Sequence, residues 1–259
     1  MATFNLEQFG PTKASRPAWL RTVAAIIRSY DLVAVQEITD STEEAPRRLL
    51  EAVNSEPTRR RYAMSLSPRT VGRIGEGSRQ EQFAYYYRPD RLQPVGDGVL
   101  YDDGPCDEFR YEPYLTRFHV PDARRSFVVI NVHTQPRQAL SELEAMERVF
   151  NWARSHFSTE NTFIALGDFN AGCAYATEHA LDALPIHGEA YDWVVPHSAD
   201  TNVADESCAY DRVVVAAPEG NLLVDDWGVL SVFADAEVSD HYPVWVTLLF
   251  TEATLGRAP

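Results

Sequence analysis

Apolar, β-branched runs alternate along this chain with stretches whose apolar residues recur at helical spacing, and several runs end in a short polar string. Leu32-Val33-Ala34-Val35, Phe127-Val128-Val129-Ile130 and Thr162-Phe163-Ile164-Ala165-Leu166 read as buried strands. A short strand around Thr3-Phe4-Asn5, one opening at Tyr62-Ala63-Met64, the aromatic-rich 82–87 and segments near 212–216 and 243–250 complete the strand set. Residues 115–120 and 127–132 flank Pro121-Asp122-Ala123-Arg124-Arg125, the spacing of a β-hairpin. Pro17 sits where a first helical turn can start, and Trp19, Leu20, Val23, Ile26 and Ile27 follow on one face. Further helices are predicted over 43–53 and along the stripe Leu140, Leu143, Met146, Val149, Phe150 and Ala153. Residues 67–79, rich in Gly and Arg and poor in apolar side chains, read as a mobile loop. Strands that adjoin in sequence, mixed with helices, fit an α/β sandwich of two sheets with outer helices better than a single parallel sheet.

Composition narrows the class. A chain of 259 residues with 45 % apolar content can bury one sizeable core, and no Pro/Gly/Ser-rich linker divides it. One domain over 1–259 is expected, with 250–259 as a flexible tail. The longest apolar runs are strand length, well below the ~20 residues of a membrane span. No apolar h-region opens the chain, so a secreted protein would have shed its targeting segment. The net charge of −15 argues against a partner as anionic as nucleic acid. That objection weakens where carboxylate-bound divalent ions invert the local field. Among 23 cationic residues only Lys13 is a lysine. The three cysteines, Cys106, Cys173 and Cys208, show no zinc-ligand spacing and read as one disulfide plus a spare thiol.

Four polar strings follow or lie between the strands: Val35-Gln36-Glu37, Asn131-Val132-His133, Gly167-Asp168-Phe169-Asn170 and Ser239-Asp240-His241-Tyr242-Pro243. Strand ends gather sites because the strand fixes the backbone while the side chains face an open crevice. Taken singly, each Asp reads as a solvated loop residue and each His as a hydrogen-bonded core group. Together they read as one site. Asn5, Glu37, Asp168, Asn170, Asp211 and Asp240 are hard oxygen donors, a set that suits Mg²⁺, Mn²⁺ or Ca²⁺ better than zinc. His133 and His241 can act as general acid and base near neutral pH, each with a carboxylate to fix its tautomer. Glu81 and Asp211 are the candidates for that task. Such an inventory supplies what metal-assisted phosphodiester hydrolysis needs: an activated water, charge stabilisation at the phosphoryl oxygens and a stabilised leaving oxygen.

Gln36-Glu37, Gly167-Asp168-Phe169-Asn170 and Ser239-Asp240-His241-Tyr242-Pro243 resemble the signature strings of the endonuclease/exonuclease/phosphatase superfamily. More narrowly, Cys208-Ala209-Tyr210-Asp211-Arg212, Ser198-Ala199-Asp200-Thr201, Tyr101-Asp102-Asp103-Gly104 and Asn170-Ala171-Gly172-Cys173 resemble the deoxyribonuclease I family. The resemblance runs in one order from about Thr3 to Leu248. It implies a two-sheet α/β sandwich, a divalent-metal site at the sheet edges and endonucleolytic cleavage that leaves 5′-phosphate ends. It further implies His133 with Glu81 and His241 with Asp211 as acid–base pairs, Glu37, Asn5, Asp168 and Asp240 around a Mg²⁺ or Mn²⁺ ion, and Asn170 and Tyr175 on phosphate. Structural Ca²⁺ is implied at Asp200, Asn202, Ala204 and Glu206, and at Asp103, Asp107, Phe109 and Glu112. The second loop is shorter than the family's and has only Cys106 where the family has a small disulfide. A Cys173–Cys208 disulfide is implied as well. It would close a loop of about 35 residues, worth roughly 3–4 kcal/mol in the chain-entropy model, and fit an oxidising compartment.

Departures from the family bear on substrate. Where it places arginines and a tyrosine that enter the minor groove, this chain has Glu7, Thr39, Arg79 and Tyr111. Arg79 and Arg110 are expected to compensate with phosphate contacts. The actin-contacting strand of some members is poorly matched at Met64 and Tyr114, so actin binding is not expected, and no N-x-Ser/Thr sequon occurs. The leading expectation is a secreted, monomeric, metal-dependent endonuclease that acts on DNA with little sequence preference and without a membrane. A phosphatase or sphingomyelinase of the same superfamily would carry an extra apolar or basic device for its head group, and none is visible. A catalytically inactive binding relative is opposed by the intact His133, Asp168, Asp211, Asp240 and His241.

Overall fold

In the computed structural model, residues 1–56, 61–72, 80–218, 222–231 and 237–250 are described. Residues 73–79 of the expected mobile loop, Arg79 among them, and 251–259 of the expected tail lie outside the described residues. The strands are β1 Ala2–Phe9, β2 Leu32–Ile38, β3 Ala63–Leu66, β4 Gln82–Tyr87, β5 Gln93–Pro94, β6 Val99–Leu100 and β7 Tyr114–Val120, followed by β8 Arg125–His133, β9 Phe163–Asp168, β10 Asp192–Trp193, β11 Asp211–Ala216, β12 Leu222–Val229 and β13 Val244–Phe250. The helices are α1 Pro11–Ala14, α2 Pro17–Ile27, α3 Glu44–Asn54, α4 Ala139–His156 and α5 Glu178–Asp182. No described helix is long and apolar enough to cross a membrane.

One sheet runs β12-β13-β1-β2-β4-β3 and the other β10-β11-β9-β8-β7-β5, with β6 also on β7. Parallel pairings of β1 with β2 and of β8 with β9 lie near the middle of the two sheets. Side chains alternate faces along a strand, and here both faces find apolar partners. Val33 and Val35 of β2 pack outward with Trp19, Val23 and Ile27 of α2 and Leu49 of α3. Val128, Ile130 and Val132 of β8 pack outward with Leu143, Met146 and Val149 of α4. Leu32, Ala34, Phe83, Tyr85, Phe127, Val129, Ile164, Leu166, Val213 and Val215 meet between the sheets. The layers are therefore helix, sheet, sheet, helix, the α/β sandwich expected.

Toward one end of the sandwich the inward rows turn polar. Leu32 and Ala34 lead to Gln36, Phe127 and Val129 lead to Asn131 and His133, and Ile164 and Leu166 lead to Asp168. On strands of opposite direction, Tyr85 and Phe83 lead back to Glu81, and Val215 and Val213 back to Asp211. The first polar layer is satisfied within itself. Gln36 Nε2 donates to Asn131 Oδ1 at 2.6 Å across the two sheets and to Thr3 Oγ1 at 2.9 Å, and Asn131 Nδ2 donates to Val35 O at 3.2 Å.

The segment 222–229, expected as loop, is the edge strand β12. Asp225, Asp226 and Gly228 interrupt its apolar run, and its ladder to β13 shifts register between Val224 and Asp226. Helices α1 and α5 and strands β5, β6 and β10 span two to five residues, too few to leave a periodic signal.

Candidate active site

Register places the first three site residues abreast. His133 pairs with Asp168 across β8 and β9, and Asp168 with Asp211 across β9 and β11. Neighbouring strands lie about 4.8 Å apart, so these side chains must interact. From the facing sheet, Asn5 pairs with Gln36, after which the β1–β2 ladder is irregular until Phe9 meets Ile38. Glu7, Gln8 and Glu37 occupy this bulge with φ of 45°, 50° and 59°. Left-handed backbone at a non-glycine residue costs on the order of 1–3 kcal/mol and persists where its surroundings hold it, commonly at functional sites.

Two imidazole–carboxylate pairs converge here. His133 Nδ1 lies 2.8 Å from Glu81 Oε2, and His241 Nδ1 lies 2.8 Å from Asp211 Oδ2. Each carboxylate fixes its imidazole so that Nε2 faces the centre. The two Nε2 atoms stand 3.7 and 3.5 Å from the same oxygen, Asp168 Oδ2. Burial works to lower the His133 pKa, but the charge and hydrogen bond of Glu81, then Glu37 and Asp168, raise it to about 10. Burial likewise opposes charge on His241, and Asp211, Asp168 and Asp240 carry its pKa well above the ordinary value. Asp211 is itself raised to about 6 by burial, against the pull of His241.

Supports for this geometry come from residues that periodicity does not single out. Thr201 Oγ1 accepts from the backbone N–H of Tyr210 and Asp211 at 2.9 and 3.0 Å and donates to Cys208 O at 3.1 Å, fixing the start of β11. Ser239 Oγ donates to Asn5 O at 2.7 Å and accepts from His241 N at 3.1 Å, tying the histidine loop to β1. Tyr111, noted in the sequence only as a changed groove position, stacks on His133 with centroids 4.9 Å apart and planes at 11°. Buried Glu142 of α4 accepts from Arg110 N at 3.0 Å and Gln135 N at 2.9 Å, linking the two loops that flank that stack.

The expected metal ligands meet at this centre. Asn5, expected as an oxygen ligand, uses its oxygen to accept from Glu7 N at 2.8 Å. Its amide nitrogen donates to Glu37 Oε1 and Asp168 Oδ2, both at 3.0 Å, so it orients two carboxylates. Glu37, Asp168 and the exposed Asp240 remain as hard oxygen donors beside two imidazoles, a donor set that fits a divalent cation such as Mg²⁺ or Mn²⁺. Asp168, Asp211 and His241 offer ligand atoms within 4.8 Å of one another.

Two further groups of potential ligand atoms occur among the described residues, and neither suits a metal. In one, Cys173 and Cys208 are bonded to each other. In the other, Arg212 Nη2 donates to His197 Nδ1 at 3.2 Å, which leaves the proton on Nε2, facing Asp182 Oδ1 at 3.2 Å.

Other expected site residues are placed as follows. Asn170, at φ 46°, donates its backbone N–H to Asp168 Oδ1 at 2.9 Å and its amide to Thr134 O at 2.9 Å. Tyr175 is 41 % exposed and lies against Tyr210, whose ring neighbours His241. Arg110, expected to contact phosphate, is 6 % exposed, with its guanidinium 5.6 Å from the Tyr111 ring. Arg79 lies outside the described residues. In the 200–206 loop Asn202 accepts from Ala204 N at 2.8 Å and donates to Glu206 O at 2.9 Å, and Asp200 is exposed. In the 103–112 loop Asp103 accepts from Glu108 N and Phe109 N at 2.7 and 3.1 Å, and Asp107 is left-handed at φ 49°. Both Glu112 oxygens accept backbone N–H from Val71 and Gly72 at 2.9 Å, so this carboxylate also anchors the 71–72 segment. Cys173 and Cys208 form a disulfide, and Cys106 is free and exposed.

A two-sheet sandwich whose polar end holds paired imidazoles and carboxylates is matched over residues 2–241 by the model of the Endonuclease/Exonuclease/phosphatase family, and the chain belongs to that family as a deoxyribonuclease I-like hydrolytic enzyme. Deoxyribonuclease-1 of the dog, Canis lupus familiaris, is 36 % identical over 267 aligned positions, which cover 96 % of this chain and 90 % of the relative. The Homo sapiens protein of the same name is 34 % identical over 266 positions, covering 96 % and 91 %. Among solved structures, an endonuclease/exonuclease/phosphatase from Bacteroides vulgatus superposes with a TM-score of 0.67 at 16 % identity, covering 96 % of this chain and 97 % of that one. A mannosyl-6-phosphatase from Bacteroides thetaiotaomicron gives 0.63 at 19 % identity, covering 96 % and 98 %. At such identities the likeness is one of fold.

Proposed function

We propose that the chain is a divalent-metal-dependent endonuclease that hydrolyses DNA phosphodiester bonds, leaves 5′-phosphate ends and discriminates little between sequences. The observation that carries this reading is the convergence of His133 Nε2 and His241 Nε2 on Asp168 Oδ2, each imidazole backed by a buried carboxylate. The whole-length similarity to proteins named deoxyribonuclease-1 supports DNA as the substrate. Glu37, Asn5, Asp168 and Asp240 would hold Mg²⁺ or Mn²⁺, which supplies charge stabilisation at the phosphoryl oxygens.

The chain's own residues handle protons and position. One imidazole takes a proton from the attacking water and the other gives one to the departing 3′ oxygen, which leaves the phosphate on the 5′ side. Glu81 and Asp211 keep both rings in the tautomer that presents Nε2. Asn170, held by Thr134, and exposed Tyr175 would contact the phosphate. One structural Ca²⁺ is assigned to Asp200, Asn202, Ala204 and Glu206, and a second to Asp103, Asp107, Phe109 and Glu112. The Cys173–Cys208 disulfide supports a secreted protein. We read a monomer as the working unit.

Supercoiled plasmid tests the reading. With Mg²⁺ it should be nicked, excess chelator should stop the reaction, and DNA ligase should reseal the nicks because they carry 5′-phosphate and 3′-hydroxyl. Cleavage that persists in chelator contradicts the metal requirement, and nicks that ligase cannot seal contradict the end chemistry. Hydrolysis of phosphate monoesters without plasmid cleavage would favour a phosphatase.

A further inference from the structure

Lys13 is the chain's single lysine, and from α1 its ammonium is turned onto the β1 bulge. Nζ donates to Leu6 O and to Glu7 Oε2, both at 2.9 Å. The bulge it grips has two N–H groups aimed at the site. Glu7 N donates to Asn5 Oδ1 at 2.8 Å and Gln8 N donates to Glu37 Oε2 at 2.9 Å. Asn5 then passes the constraint on by donating to Glu37 Oε1 and Asp168 Oδ2.

Buried Leu6 anchors the bulge on its apolar side, and its polar side has few other ties among the described residues. Its register with β2 is irregular between Asn5 and Phe9. Glu7 and Gln8 are both left-handed, a conformation that their own preferences oppose. Ser239 Oγ holds one end at Asn5 O and Thr39 N the other at Phe9 O, 2.7 and 2.9 Å away. Between these ends the Lys13 ammonium binds both a backbone carbonyl and a side chain of the bulge.

We propose that Lys13 is a positioning residue for the metal ligands: through Leu6 O and Glu7 it fixes the bulge whose N–H groups orient Asn5 and Glu37. Metal affinity then depends on an ammonium that touches neither metal nor DNA. Glu7 is the counter-ion of this latch, which gives a local reason for an acid at a position where the resembling family has a groove arginine. The inference rests on reading Glu37, Asp168 and Asp240 as metal-binding.

Mn²⁺ titrations followed by electron paramagnetic resonance test it in wild type, Glu37→Gln, Lys13→Met and Glu7→Gln. Glu37→Gln identifies the bound equivalent that belongs to this site. Lys13→Met should raise the Kd of that equivalent about 10–100-fold, the usual effect of removing an outer partner of a ligand. The melting temperature of its metal-free form should change little, because a partly exposed ion pair adds little to stability. Saturating Mn²⁺ should recover much of its plasmid-nicking rate. Glu7→Gln keeps the Leu6 contact and should raise Kd by a smaller factor, and it decides the question if Lys13→Met does not fold. Wild-type Kd in folded Lys13→Met, or in Glu7→Gln where that variant must decide, overturns the latch alone. If Glu37→Gln keeps every Mn²⁺ equivalent, the metal reading fails and this inference fails with it.

Discussion

The two histidines of the site sit over carboxylates with no solvent access, so each imidazole is at once a candidate proton carrier and the partner of a buried charge. Replacing His133 or His241 with Ala should lower plasmid nicking by about 10²–10⁴-fold, the usual contribution of acid–base catalysis. Circular dichroism should show the fold retained, and near wild-type nicking by either variant would remove that histidine from the account. Both residues are legible in the sequence because each stands in a polar string at a strand end or just before a strand. The orientation of the Asn5 amide is not, because which end of it faces the carboxylates is decided by the Glu7 N–H of a bulge that no periodicity encodes. Tyr111 is likewise settled by packing against His133, and Arg110 by packing against Tyr111, and not by residue type. The groove positions can now be separated. Thr39→Arg should tighten duplex binding in Ca²⁺ and steepen the fall of log affinity with log salt by about 0.9 for each phosphate gained. Glu7→Arg adds a cation beside Lys13 in place of its partner, so it should weaken Mn²⁺ binding whatever it adds at the groove. Salt titration of duplex binding by Thr39→Arg and Mn²⁺ titration of Glu7→Arg would show this, and an unchanged slope in Thr39→Arg would mean that other arginines already fill the role.

Elements hold the site through their ends. Helix α3 starts after Glu43, a left-handed residue whose side chain makes no cap bond, and Asp40 supplies the cap from further upstream. Its oxygens accept from Thr42 N at 2.9 Å and Ala45 N at 2.7 Å. Burial works to raise the Asp40 pKa, and these backbone and hydroxyl hydrogen bonds outweigh it and hold the carboxyl below its ordinary value. A depressed carboxyl pKa contributes stability above the unfolded value, near 3.9, and loses it as pH falls through the folded value. Asp40→Ala should therefore cost about 0.5–2 kcal/mol in urea unfolding at neutral pH. The gap from wild type should narrow in acid below the ordinary carboxyl value, and a gap that does not depend on pH would mean that Asp40 acts by packing. The main helices and central strands are readable because apolar spacing and burial agree over many residues. Strand β12 is not, since an edge strand keeps pairing through Asp225, Asp226 and Gly228 while losing the pattern that announces it.

Across the whole molecule, three apolar layers fix two sheets so that the polar ends of five strands meet at one rim, while the loops that finish the rim are held by cross-links. The Cys173–Cys208 disulfide spans 35 residues, which the chain-entropy model values at about 4 kcal/mol. Reduction should lower the melting temperature, and unfolded, unreduced protein should show one reactive thiol, Cys106. Three thiols would contradict the bond. Chelation should also lower the melting temperature if a loop such as 200–206 holds Ca²⁺ in the folded state alone, by about 2.7 kcal/mol at a hundredfold excess over Kd. Unchanged melting would remove the structural ion but not the catalytic one. The layered fold is legible because strand and helix periods alternate in a consistent order, whereas the bulge, the Thr201 hub and the Lys13 grip arise from contacts between distant segments. Asp168 stands where all of these meet, within 3.7 Å of both imidazoles and hydrogen-bonded to Asn5 and Asn170. The most direct measurement is the plasmid-nicking rate of Asp168→Asn at saturating Mg²⁺, with melting followed in parallel. A folded variant slower by about 10²–10³-fold, the scale of removing a stabiliser of transition-state charge, is the expected result. A folded variant that nicks plasmid at near wild-type rate would contradict a site built around this residue.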